Sequence, residues 1–328
     1  NIEEAISAYQ QALQLITIDS TPFDWAAYMM FLAHAYRNRI EGDRAQNIEE
    51  AISAFQQTLQ VKTRNWIPDE WARTTVGLAN AYFNRIRGNR AQNIENAIEA
   101  YQQALQIITK DTFPIDWALA KNGLASAYRN RIKGDRAQNI ENAIDAFQES
   151  LQVYTRSAIP VQWAETMNNL AIAYSSRLRG DKEQNIENAI EALLGSLEVI
   201  TMEGKPVKWA TLMMNLATSY LRRISGNREQ NIEDAINACR QSLQVVTRES
   251  VPIKWAETML NLGNIYIDRL RGVQEENIEE AIDAFQQSLQ VMTQEAMPTH
   301  WALAMHNLAA AYAMRLRGEP AKNIENAI

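Results

Sequence analysis

Apolar and polar positions along the chain follow two helical rhythms that take turns. Ile2, Ala5, Ile6, Tyr9, Ala12, Leu13 and Ile16 recur at steps of three and four residues, which puts them on one face of a helix. A second series, Trp25, Ala26, Leu32, Ala33 and Tyr36, does the same further on. Then the cycle restarts. The segment Asn-Ile-Glu-x-Ala-Ile begins at Asn1, Asn47, Asn93, Asn139, Asn185, Asn231, Asn277 and Asn323, always 46 residues apart. The chain therefore reads as one array over residues 1–328, with repeats starting at 1, 47, 93, 139, 185, 231 and 277 and a partial repeat at 323–328. One helix pair cannot bury its own apolar face, whereas stacked pairs share a continuous core, so the period predicts an all-α solenoid.

The punctuation fits this reading. Asn1 and its successors are expected to cap the first helix of each cycle, with Glu4, Glu50 and Glu280 placed to close a capping box. Proline recurs at Pro22, Pro68, Pro114, Pro160, Pro206, Pro252 and Pro298, where it suits the first turn of the second helix. Three residues later stands Trp25, with counterparts at Trp71, Trp117, Trp163, Trp209, Trp255 and Trp301. Gly42 and its counterparts, from Gly88 to Gly318, mark where that helix should stop.

Composition narrows the function. A net charge of -7 does not suit a chain that binds nucleic acid through a basic face, and no nucleic-acid partner is expected. No apolar run is long enough to span a membrane and no leader is visible, so no membrane partner is expected. The single cysteine, Cys239, suits a reducing compartment and a cytoplasmic location. It falls in the column of Tyr9, Phe55 and Tyr101, which points to a core position. His34, His300 and His306 do not repeat, every glycine is isolated, and no cysteine–histidine cluster has metal-ligand spacing. The expectation is no catalysis, no cofactor and no metal.

The segments Ala5-Ile6-x-x-Tyr9-x-x-Ala12-Leu13 and Ala51-Ile52-x-x-Phe55-x-x-Thr58-Leu59 resemble the second helix of a tetratricopeptide (TPR) repeat. Asn169-Leu170-Ala171-x-Ala173-Tyr174 resembles the first. Familiar TPR repeats have about 34 residues, so each repeat here carries a longer helix or connection. The fuller phrase, with Pro-x-x-Trp-Ala and Arg-x-x-Gly, resembles TPR arrays of large bacterial proteins, which adjoin CHAT (caspase-like peptidase) domains or signalling NTPase modules. The resemblance implies a right-handed α-solenoid of antiparallel helix pairs, excised from a longer protein, that binds a peptide or protein segment as a sensor or recruitment arm. The alternative is an architectural spacer or self-assembly module, with self-association through uncapped array ends.

By the same resemblance, the helix beginning near Trp25 and its counterparts line a concave groove. The outward columns there are those of residues 27, 30, 31, 34, 37 and 38. In the early repeats they give His34, Arg37, Asn38, Arg73, Asn80, Asn84, Asn122, Ser126, Arg129 and Asn130, hydrogen-bonding residues suited to an acidic segment. In the later repeats they give Met214, Leu221, Leu260, Ile267, Leu303 and Met314, suited to an apolar one. Asn169, Asn215, Asn261 and Asn307 share a column, either to hold a peptide backbone or to bond the adjacent helix pair. The column Arg39, Arg85, Arg131, Arg177, Arg223, Arg269 and Arg315 is expected to cap helix carbonyls or to pair with the Glu49 column.

Overall fold

A computed structural model describes residues 1–315, so Gly318 and the partial repeat at 323–328 lie outside the described residues. Helices of two kinds alternate. The proline-led series is α2 (Pro22–Asn38), α4 (Pro68–Asn84), α6 (Pro114–Arg129), α8 (Pro160–Ser175), α10 (Pro206–Arg222), α12 (Pro252–Ile267) and α14 (Pro298–Met314). The other series is α1 (Ile2–Leu15), α3 (Arg44–Val61), α5 (Arg90–Leu105), α7 (Arg136–Leu151), α9 (Lys182–Leu197), α11 (Arg228–Leu243) and α13 (Gln274–Leu289). The chain divides into two compact units, Asn1–Ala173 and Tyr174–Ile328.

Within each unit a proline-led helix packs most extensively on the helix that follows it, as α2 on α3 or α10 on α11. Successive proline-led helices also touch, α2 on α4 and α4 on α6 in the first unit, α10 on α12 and α12 on α14 in the second. The columns that looked apolar in sequence make the core: Ile48, Ala51, Phe55, Ile94, Tyr101, Ile140 and Phe147 are all at most 1% exposed. Burying each large side chain contributes roughly 1.5–3 kcal/mol. Cys239 is buried in this core, and burial pushes its thiol up to about 12.

Two local expectations are corrected. Only Asn1 caps as expected, its Oδ1 accepting from the Glu3 amide at 3.2 Å. The later helices begin four residues earlier, because Asp43, Asn89, Asp135, Asp181 and Asn227 are better placed to accept from first-turn amides. Asn47 and its successors therefore sit inside the helix, buried, and turn backwards. Asn47 Nδ2 donates to the Glu41 carbonyl at 2.8 Å, Asn93 to Arg87 at 2.9 Å and Asn231 to Ser225 at 2.9 Å, which pins the loop onto the helix. Glu50 lies a full turn into α3 and accepts from Gln46 at 2.6 Å, so it closes no capping box. The proline-led helices end one or two residues before the arginine column, four or five residues ahead of the glycine. Gly42 and Gly88 stand within the loop at φ +77° and +79°, a left-handed turn that glycine adopts without strain.

The arginine column does pair as expected. In the first unit Arg39, Arg85 and Arg131 each give two parallel hydrogen bonds to Glu3, Glu49 and Glu95, at 2.6–2.9 Å. In the second, Arg223, Arg269 and Arg315 hold Glu187, Glu233 and Glu279 at 2.7–3.0 Å. This bond fastens the end of a proline-led helix to the start of the helix before it.

Candidate functional site

The first unit contains a cavity of about 510 Å³ between α2, α4 and α6. Four sets of side chains form it. Met30, His34, Arg37 and Asn38 come from α2; Arg73, Val76, Gly77, Asn80 and Asn84 come from α4; Asp116 and Leu119 come from α6; Arg44 and Ile108 complete the wall. The lining thus mixes apolar and cationic side chains. The groove columns of the sequence supply most of the lining because proline-led helices touch one another, and their mutual faces converge there.

Arg37 is half-buried at this wall, and its guanidinium has neither a hydrogen bond nor an ion pair among the described residues. Burial pushes it below its ordinary value; Tyr101 offsets part of that, and the like charge of Arg44 adds to it. Arg44 donates to the carbonyls of Arg37 and Arg39, at 2.6 and 3.0 Å, at the negative end of α2. His34 lies edge-on to Phe55 with ring centroids 5.0 Å apart. Burial, then the charge of Arg37, lowers its pKa to about 4, so it faces the cavity as a neutral imidazole at pH 7. The site therefore holds two cations without a carboxylate, Arg37 and, at the helix end, Arg44, beside aliphatic surface, a setting that favours an anion bearing an apolar neighbour.

The other predicted residues divide. Asn38 and Asn84 reach the cavity and are exposed, although Asn84 Nδ2 is used by the Asn80 carbonyl at 2.7 Å. Asn80 is fully committed: Nδ2 donates to the Val76 carbonyl at 2.9 Å and Oδ1 accepts from the buried Tyr101 hydroxyl at 2.8 Å. Arg73 is matched by Asp116, Nε to Oδ2 at 2.9 Å, and stacks over Phe113. Arg129 lies outside this cavity, half-buried, with its Nε enclosed and unpartnered and its guanidinium pushed down by burial. Asn122 bonds Thr166 on α8, and Asn130 turns back to the Ser126 carbonyl at 2.8 Å.

In the second unit the apolar half of the expected groove is corrected. Met214 and Leu260 are buried, at 9% and 5% exposure, and Leu221 and Ile267 pack against the core around Ile236, Ile265 and Phe285. Their columns fall on the seam between successive helices, so apolar side chains there are drawn into packing. Leu303 and Met314 on α14 are exposed. Within the asparagine column, Asn307 bonds across to Asn264 on α12 at 2.8 Å, the adjacent-helix role; Asn169, Asn215 and Asn261 are half-buried.

Sequence reading missed Arg44, Ile108 and Asp116. Arg44 had a signal, a basic residue at the same place in five repeats (Arg44, Arg90, Arg136, Lys182 and Arg228). Ile108 and Asp116 reach the cavity only through the stacking of the third repeat on the second, which no local pattern announces. Among the described residues no group of histidine, cysteine, aspartate and glutamate is arranged to hold a metal ion.

No protein-family profile and no curated protein sequence matches the chain. Solved structures do. The APC/C hetero-tetramer Cut9–Hcn1 aligns with a TM-score of 0.62 at 16% identity over 95% of this chain and 46% of that one. A Signal Transduction ATPase with Numerous Domains carrying a tetratricopeptide repeat sensor, from Pyrococcus horikoshii, aligns with a TM-score of 0.61 at 14% identity over 98% and 45%. By fold, the chain is a tetratricopeptide-like helical repeat array. The array spans about half the length of those two chains. The apo form of RapI aligns with a TM-score of 0.57 at 15% identity over 92% of this array and 98% of that chain.

Proposed function

We propose that the array is a protein-interaction scaffold and that its first unit receives an acidic segment of a partner in the cavity between α2, α4 and α6. One observation carries the reading: Arg37 holds its charge half-buried beside Met30, Val76 and Leu119 with no carboxylate of its own. A partner carboxylate followed by an aliphatic side chain would answer both the charge and the apolar wall, with Arg44 as a second cation. The regular array favours binding over catalysis, because the one carboxylate of the cavity lining, Asp116, is spent on Arg73. In the archaeal ATPase the repeats are described as a sensor; a sensor or recruitment arm of a larger protein is the role proposed here. The near-identical Arg–Glu ties in both units favour a second reading, an architectural spacer.

A displayed library of random peptides, selected on the whole chain, tests the proposal. Peptides with an acidic residue beside an aliphatic one are expected to be enriched. Their binding should weaken on the order of tenfold or more in Arg37→Ala, the loss of a charge-assisted pair. Enrichment without acidic residues, or binding indifferent to Arg37→Ala, would leave the spacer reading.

A further inference from the structure

Each repeat places a large aliphatic residue directly after the arginine of the Arg–Glu tie, and in each described case it is exposed. Ile40 is 90% exposed, Ile86 61% and Ile132 63% in the first unit; Leu178, Ile224 and Leu270 are 54–68% exposed in the second. Single exposed aliphatic side chains are ordinary on protein surfaces. The same side-chain type at the same exposed loop position in six described repeats is not scatter, and at such exposure it adds little to the core.

These loops lie side by side within each unit. Arg87 reaches back to Asp43 at 3.6 Å and to Gln46 at 3.0 Å, and Lys133 reaches Gln92 at 3.1 Å. Ile40, Ile86 and Ile132 therefore form one row along an edge of the first unit. That row is set in positive charge. Residues 38–45, 84–91 and 130–137 hold eight arginines and lysines against three aspartates and glutamates, in a chain whose net charge is -7. Glu3, Glu49 and Glu95 neutralise Arg39, Arg85 and Arg131, and the remainder stays positive. Arg44, Arg90 and Arg136 donate to helix-end carbonyls while remaining exposed, so their charge faces solvent.

We infer that this edge of the first unit rests on an anionic lipid surface, with Ile40, Ile86 and Ile132 entering the headgroup layer and Arg87, Arg90, Lys133 and Arg136 lying against lipid phosphates. The aliphatic side chains are separated by charged and glycine residues, so they do not make the continuous apolar centre that a protein interface needs. A second copy docked edge to edge would bring like charges together. A lipid surface meets neither obstacle: it accommodates separate aliphatic prongs one by one, and anionic headgroups attract the flanking basic side chains. The absence of a spanning segment argued against a membrane partner, but a surface contact needs none; no helix among the described residues is long and apolar enough to cross a membrane.

Co-sedimentation of the whole chain with vesicles tests this. The chain is expected to pellet with equimolar phosphatidylcholine–phosphatidylserine vesicles, much less with phosphatidylcholine alone, and less as salt rises. The triple variant Ile40→Ser, Ile86→Ser, Ile132→Ser should bind the phosphatidylserine vesicles about tenfold more weakly or worse, from the lost aliphatic burial. Its circular dichroism should be unchanged, because these side chains pack on little. Arg87→Gln with Lys133→Gln should also weaken binding. No pelleting by the wild type, or equal pelleting by wild type and triple serine variant, would overturn the inference. So would a concentration-dependent dimer in light scattering that the serine variant abolishes, since the row would then belong to a second copy.

Discussion

Arg37 and Arg39 stand two residues apart at the end of α2 and live in opposite electrostatic settings. Arg39 is held by two hydrogen bonds to Glu3, whereas Arg37 meets only neutral groups and the like charge of Arg44. The sequence makes the first legible, since an arginine in every repeat needs a partner in every repeat and the glutamate column supplies it. The second is not legible, because whether a carboxylate reaches Arg37 depends on where Asp116 points, and Asp116 goes to Arg73 instead. His34 carries a prediction at this scale. Its folded pKa is about 4, below the ordinary value of 6.5, so the unfolded chain takes up the proton first. Its contribution is neutral above pH 6.5 and becomes a growing penalty as pH falls towards 4, reaching about 2–3 kcal/mol. Urea unfolding between pH 6.5 and 5, where paired carboxylates stay ionised, should show stability falling in the wild type and a flatter profile in His34→Gln. An identical slope in both would mean that His34 is not desolvated.

At the scale of the element, both helices of each repeat follow from the spacing of apolar residues, and proline marks the start of one as expected. The other helix starts about one turn ahead of the asparagine that the pattern offers as its cap. Asn47 is an excellent cap by residue type, but Asp43 lies just outside the glycine turn and its carboxylate reaches the first-turn amides, leaving Asn47 to fasten the loop. Gly77 and Gly123 are visible in the sequence as departures within a column; their reason is not. A Cβ on Gly77 would stand 2.6 Å from the Phe55 ring, and one on Gly123 would stand 2.5 Å from Tyr101, each ring seated in the groove between proline-led helices. Helix propensity alone says that Gly123→Ala should stabilise by about 1 kcal/mol. The buried Tyr101 ring, tied to Asn80, cannot step aside, so the expected outcome is a net loss of roughly 1–3 kcal/mol in denaturant unfolding. A gain would show that α6 can shift away from α5 freely.

Over the whole molecule, the period of 46 residues is enough to announce a repeat fold and two helices per repeat, because identical segments must solve the same burial problem in the same way. It does not announce the division into two units, nor which inter-repeat space stays open. The apolar residues of the second unit illustrate why: Met214 and Leu260 share their column with Met30, yet Met30 lines a cavity half-buried and these close into the core. Neighbouring side chains, two repeats deep, decide between the two. The central claim is that the cavity between α2, α4 and α6 is where a partner's acidic segment sits. Hydrogen exchange of the whole chain, with and without a selected acidic peptide, tests it most directly. The account predicts slowed exchange concentrated in the facing turns of α2, α4 and α6 and lost in Arg37→Ala; protection on the outer helices α3 and α5 alone, or persisting unchanged in that variant, would contradict it.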